Sequence, residues 1–76
     1  MESVRKRNHP VVENILKVME AKGIGIDELS AKSGISRKDL ERLLKNKRVI
    51  RLYEIAALSV SLDTDIDTLF GYIKED

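Results

Sequence analysis

Between Gly23 and Asn46, two short stretches of helical apolar spacing meet at a single glycine, and that arrangement leaves the chain little choice of fold. The first stretch reads as a helix from about Ile26 to Lys32, with Gly25 as its cap and Leu29 as its buried anchor. Gly34 follows, where a sharp turn calls for positive φ, and Ile35 is expected to drop into the core. Ser36 then opens a second helix as its N-cap, and Asp39 three residues later completes a weak capping box. Leu40, Leu43 and Leu44 fall on one side of this helix, and Arg37, Lys38, Glu41, Arg42 and Lys45 on the other. Asn46 suits the left-handed position that ends it. The spacing also allows i,i+4 pairing of Glu28 with Lys32, and of Glu41 with Arg37 or Lys45. Two short helices joined by so tight a turn make a helix-turn-helix unit.

Three more helices are expected around that unit, which makes the fold all-α. Asn8 or His9 can cap the first, and Pro10 fits its first turn, where a missing N–H costs nothing. Val11, Val12, Ile15, Leu16, Val18 and Met19 then recur at helical spacing through Lys22, and Gly23 closes the helix. A fourth helix reads from about Leu52 to Leu62, with Leu52, Ile55, Ala56, Leu58, Ser59 and Leu62 as its inner stripe. Val49 and Ile50, in the loop before it, have no evident core duty. Asp65 caps a fifth helix whose apolar face is Ile66, Leu69, Phe70 and Ile73.

A chain of 76 residues makes one domain, read as residues 10–76 behind a basic arm at residues 1–9. Folding buries roughly 60% of the unfolded surface at this size, which leaves little room for an enclosed substrate pocket. Cysteine is absent, so disulfides and thiolate metal sites are excluded. The start, Met1 to Arg7, has no apolar run behind its charges, and no stretch approaches the ~20 apolar residues of a membrane span. A cytoplasmic location is expected. The net charge of +1 hides a polarity. Residues 1–48 carry twelve Lys/Arg against seven Asp/Glu, and residues 49–76 carry two against six. A local field of that kind suits a small domain with one basic face and a separate association face.

The chain resembles the phage repressor and Cro (XRE) family of helix-turn-helix proteins. The likeness rests on Lys22-Gly23-Ile24, Glu28-Leu29-Ser30, Gly34-Ile35-Ser36, Leu40, Leu43, Ile55-Ala56 and the closing run from Asp65 to Phe70. It holds without a gap from about Val12 to Phe70. The resemblance implies a compact five-helix, lambda-repressor-like domain that binds double-stranded operator DNA as a homodimer, without a catalytic step or a cofactor. It also implies that the start of the third helix reads bases in the major groove, which by position means Ser36, Arg37, Lys38, Glu41 and Arg42. Arg37 and Arg42 are the candidates for guanine, whose O6 and N7 match a guanidinium fork. Lys38 suits either a base or a phosphate, and Ser36 a cap and a phosphate contact. Lys45, Lys47 and Arg48 suit the sugar-phosphate backbone. Two positions depart from the family pattern. Gly25-Ile26 replaces a polar Thr-Gln pair at the start of the second helix, and Ile50 replaces a loop proline.

Other patterns point to less. Arg5-Lys6-Arg7 has the charge to reach a minor groove but equally that of a solubilising terminus. His9 is the only histidine and has no partner cluster, so no general base is expected. The run Asp63 to Asp67 begins like a calcium loop, yet Thr68 stands where glycine is needed and Lys74 where glutamate is. Val49, Ile50, Phe70, Tyr72 and Ile73 are the candidate two-fold patch. The chain ends soon after the fifth helix, so an effector domain is not expected. The alternative function is a protein-interaction module on the same fold, an anti-repressor or an antitoxin with a protein partner. Salt separates the readings, since DNA binding weakens steeply with ionic strength and an apolar interface does not.

Overall fold

The computed structural model describes residues 10–71. Within them the chain forms five helices: α1 (Val11–Lys22), α2 (Ile26–Ser33), α3 (Arg37–Leu44), α4 (Leu52–Ser61) and α5 (Ile66–Phe70). No strand occurs among the described residues. The expected caps at Asn8 and His9, the arm at residues 1–9, and Tyr72 and Ile73 lie outside them.

Local chemistry ends the helices where the sequence says it should. Gly23 and Asn46 are left-handed, as expected, and so is Asp63, which follows α4. At each of the three, the next residue's N–H reaches back five residues: Ile24 to the Met19 carbonyl (2.9 Å), Lys47 to Arg42 (2.8 Å) and Thr64 to Ser59 (2.9 Å). These are Schellman closures, which satisfy carbonyls the helix would leave orphaned. Pro10 flanks α1 rather than sitting inside it, and its carbonyl accepts the Asn14 N–H at 2.9 Å. Asp65 holds the N-cap position of α5 without a side-chain cap bond, a correction to the capping expected there.

The core is a single cluster. Val11, Ile15, Met19, Leu29, Leu40, Leu43, Ile50, Ile55, Leu58, Leu62 and Leu69 are all buried in it, so every helix contributes. α1 packs on α3 and α5, α2 on α3 and α4, and α4 on α5. Ile35 is half-buried against this cluster rather than fully inside it, as are Val18 and Leu44.

Three polar ties hold α1 to the far end of the chain. The Asn14 amide donates to the Leu69 carbonyl at 3.0 Å. The Lys22 ammonium donates to the carbonyls of Leu62 (2.6 Å) and Asp63 (2.7 Å), capping the end of α4, where the helix dipole favours a cation. Gly71 lies so close to α1 that a Cβ there would meet Asn14 Nδ2 at 3.0 Å and Pro10 Cγ at 3.2 Å. With φ at 78°, that position tolerates little besides glycine.

Two expected faces need correction. Leu16, placed on the inner stripe of α1, is 44% exposed. In α4 the buried residues are Glu54, Ile55, Leu58 and Ser59, while Leu52 and Ala56 face outward. Leu52 opens the helix and projects beyond the core, and Ala56 lies on the flank next to Ile55. Conversely Ile50, read as having no core duty, is buried (8% exposed), and Val49 is half-buried. The segment before α4 turns inward, so helical periodicity does not describe it.

Candidate nucleic-acid interface

The turn between α2 and α3 is built by three serines and a glycine. Gly34 takes φ 77° and donates its N–H to the Ser30 carbonyl at 3.0 Å. The Ser30 hydroxyl donates to the Ile35 carbonyl at 2.7 Å, and the Ile35 N–H donates to the Ser33 hydroxyl at 3.1 Å. Ser36 then accepts from the Asp39 N–H at 3.2 Å, which is the expected N-cap. The ties from Ser30 and Ser33 went unread in the sequence. Their signal is two hydroxyls in the last turn of a helix, where side chains compete for backbone partners.

With the turn fixed, α3 has one orientation. Leu40 and Leu43 are wholly buried, and Leu44 is half-buried beside them. That pushes Arg37, Lys38, Arg42 and Lys45 to the surface, with Ser36 and Asp39 exposed at the helix start and Lys47 exposed just after its end. Glu41 is half-buried. Arg37 pairs with Asp27 of α2 at 2.9 Å rather than with Glu41. Both side chains are more than half exposed, so the pair contributes little and a stronger anion can displace it. Glu28 and Lys32 do pair, at 3.0 Å. Among the described residues, Lys38, Arg42, Lys45 and Lys47 have no acidic side chain within 4.0 Å. The result is a helix packed through its leucines whose outer face projects cations into solvent.

Arg48 is arranged differently. Its guanidinium forks onto Glu54 of α4, with one nitrogen 2.9 Å from Oε1 and the other 2.6 Å from Oε2. It also donates to the Val49 carbonyl at 3.3 Å, and its Nε lies 4.0 Å from Asp39 at the start of α3. Glu54 is 4% exposed, and its Oε1 also accepts the Arg51 N–H at 2.9 Å. The Arg48 hydrogen bonds, and then the Arg51 N–H, hold the Glu54 carboxyl below its ordinary value against the opposing effect of burial. Arg48 is raised in turn, chiefly by the same hydrogen bond. Glu54 was not singled out in the sequence, although it is the sole acid between Glu41 and Asp63 and stands three residues after the α4 N-cap.

An open hollow of about 480 Å³ lies at the α4–α5 turn, lined by Ser59, Val60, Asp63, Thr64 and Asp65, and its acidic rim repels phosphate. Among the described residues no group of His, Cys, Asp or Glu is placed to hold a metal ion, and no helix is long and apolar enough to cross a membrane.

The profile of a Cro/C1-type HTH DNA-binding domain covers residues 14–75. No curated protein and no solved structure matches the chain.

Proposed function

Because the chain belongs to the Cro/C1-type helix-turn-helix DNA-binding family, we propose that it is a sequence-specific transcriptional regulator that reads operator DNA through α3 in the major groove. The observation that carries this reading is the outer face of α3: exposed cations on a helix whose inner leucines leave it no freedom to rotate. In this reading Arg37, Lys38 and Arg42 meet base edges, with Ser36 and Glu41 beside them. Lys45 and Lys47 meet phosphates. Residues 10–76 are the binding domain and residues 1–9 its basic arm. The regulator acts by occupying a promoter, and it needs no cofactor for that.

Selection from a random-sequence duplex library tests the reading, and a palindromic product is expected. Against the enriched duplex, Arg42→Ala should weaken binding by ~1–3 kcal/mol and relax preference at one base pair. Lys47→Ala should weaken binding to all sequences alike and reduce the salt slope by about one. Titrations of both variants at several salt concentrations check this. Unchanged binding by both would rule out α3 as the reader.

The active species is proposed to be a two-fold dimer, which sets two α3 helices about 34 Å apart on one face of the duplex. The surface that supports this differs from the patch of loop and last helix expected from sequence: Ile50 is buried, Val49 and Phe70 are half-buried, and Tyr72 and Ile73 lie outside the described residues. Leu52 (67% exposed), Ala56 and Val60 (80% exposed) form an i, i+4, i+8 stripe along α4, flanked by Tyr53. Exposed Arg51 stands at one end of the stripe and exposed Asp63 at the other. A second copy laid antiparallel puts its acidic end on the basic end of the first, with Ala56 at the crossing. The surface is thus complementary to itself, as a two-fold contact requires. Val60→Glu is expected to give a monomer by sedimentation equilibrium with an unchanged circular dichroism spectrum. A parent chain that sediments as a monomer alone and on DNA would dispose of the dimer.

A further inference from the structure

We propose that Arg48 and Glu54 form a positioning clamp, in which a buried carboxylate on α4 grips Arg48 and thereby sets where Lys45 and Lys47 stand relative to the outer face of α3. The inference rests on the DNA-reading function proposed above and assigns Arg48 a role other than the phosphate contact that its position in the sequence implies.

The geometry supports it at each step. Residues 45–51 join the reading helix to α4 and carry two exposed lysines, Lys45 and Lys47. At its start this segment is held by two backbone bonds, from Asn46 to Leu43 (3.1 Å) and from Lys47 to Arg42 (2.8 Å). Its far end is held by Glu54, which takes two nitrogens of Arg48 and the N–H of Arg51 at 2.6–2.9 Å. Three donors on one buried carboxylate leave the segment one placement instead of many. A bidentate fork also fixes direction, which a lysine in place of Arg48 would not. The Arg48 side chain is only 20% exposed and its Nε faces Asp39 at 4.0 Å, so the same guanidinium touches the first turn of α3. Ile50, buried between Arg48 and Glu54 in sequence, anchors the same segment to the core.

The clamp and a phosphate contact predict opposite signs. Glu54→Gln removes a negative charge and loosens the grip on Arg48. If Arg48 served DNA directly, that variant would bind as tightly as the parent or tighter. If the pair positions the segment, affinity for the duplex enriched by the parent should fall by about tenfold or more, the scale seen when a hydrogen-bond partner that orients a metal ligand is removed. The salt slope should shrink as Lys45 and Lys47 lose register. Arg48→Lys keeps the charge and loses the fork, so a clamp predicts a loss like that of Glu54→Gln, whereas a phosphate contact predicts nearly parental binding.

Amide hydrogen exchange on the free chain supplies a readout independent of DNA. In Glu54→Gln, the amides of Asn46, Lys47 and Arg51 should exchange faster while that of Ile15 in α1 does not. Weaker binding by both variants together with that local loosening supports the clamp. Binding by either variant at parental strength, or unchanged exchange at all three amides, overturns it. If the parent enriches no duplex at all, the DNA-reading function falls, and the exchange measurement alone decides the clamp.

Discussion

Arg48→Ala is expected to lower folding stability by about 3 kcal/mol, because it strands a buried carboxylate without its counter-charge. Glu54 is 4% exposed and would keep only the Arg51 N–H as a partner. The low end of the usual range applies, since Arg48 itself retains some solvent contact (20% exposed). For a domain of this size, each kcal/mol moves the thermal midpoint by about 4–8 °C, so a fall of roughly 12–24 °C should appear in a melting curve. The pH dependence adds a second check. In the parent, the folded Glu54 carboxyl titrates below its ordinary value of 4.5. Its contribution to stability is therefore complete above that value and is lost as pH falls through the depressed one. In Arg48→Ala the main depressing cause is gone and burial remains, so the carboxyl moves upward and protonation relieves the stranded charge. The gap between the two proteins should accordingly narrow as pH falls from the raised titration of the variant's carboxyl through the depressed one of the parent. Replacing both partners, Arg48→Met with Glu54→Leu, should recover most of the stability, since well-packed apolar groups often match or exceed a buried pair. A cost under about 1 kcal/mol for Arg48→Ala at neutral pH would mean the pair sustains nothing, as with a solvated surface contact.

What the sequence discloses here depends on the range of the interaction. Helix ends were legible because their chemistry is local. Gly34 and Asn46 take positive φ at the expected places, and Ser36 caps α3 with the expected bond to Asp39. The inner face of α3 was legible too, since Leu40 and Leu43 leave no other side to bury. The cationic face opposite them follows from the same periodicity. Illegible were the placements decided between elements. Nothing in the run Val49-Ile50-Arg51-Leu52 says that Ile50 turns in while Leu52 stays out, because the segment is not helical until Leu52 and its direction is set by Arg48 on Glu54. Arg37 likewise looked toward Glu41 by spacing, yet it pairs with Asp27 on the neighbouring helix. Spacing ranks partners along one helix and is silent about those across a turn.

Leu40→Ala should have an effect of the same order or larger, and should remove DNA binding without touching a contact residue. Leu40 is wholly buried in the core cluster and lies on α3 between Lys38 and Arg42, two of the cations on its outer face. Truncating a buried leucine costs about 2–5 kcal/mol, depending on how far the surroundings collapse into the space. Collapse is restricted here, because α3 has only eight residues and is held at both ends, by the Ser36 cap and by the closure at Asn46. The upper half of the range is therefore expected. A chain of 76 residues has roughly 4–11 kcal/mol of total stability to lose. A loss near the top of the mutational range would leave a domain at the low end of that stability largely unfolded at room temperature. Urea titration followed by circular dichroism measures the loss, with the denaturant slope unchanged if the native state stays compact. Leu40→Met gives the contrasting case. It preserves volume and apolar character, so it should cost under about 1.5 kcal/mol and retain binding to the enriched duplex. If Leu40→Ala instead folded with near-parental stability, the inner face of α3 would not anchor the helix, and the outward presentation of Arg37, Lys38 and Arg42 would lose its physical cause.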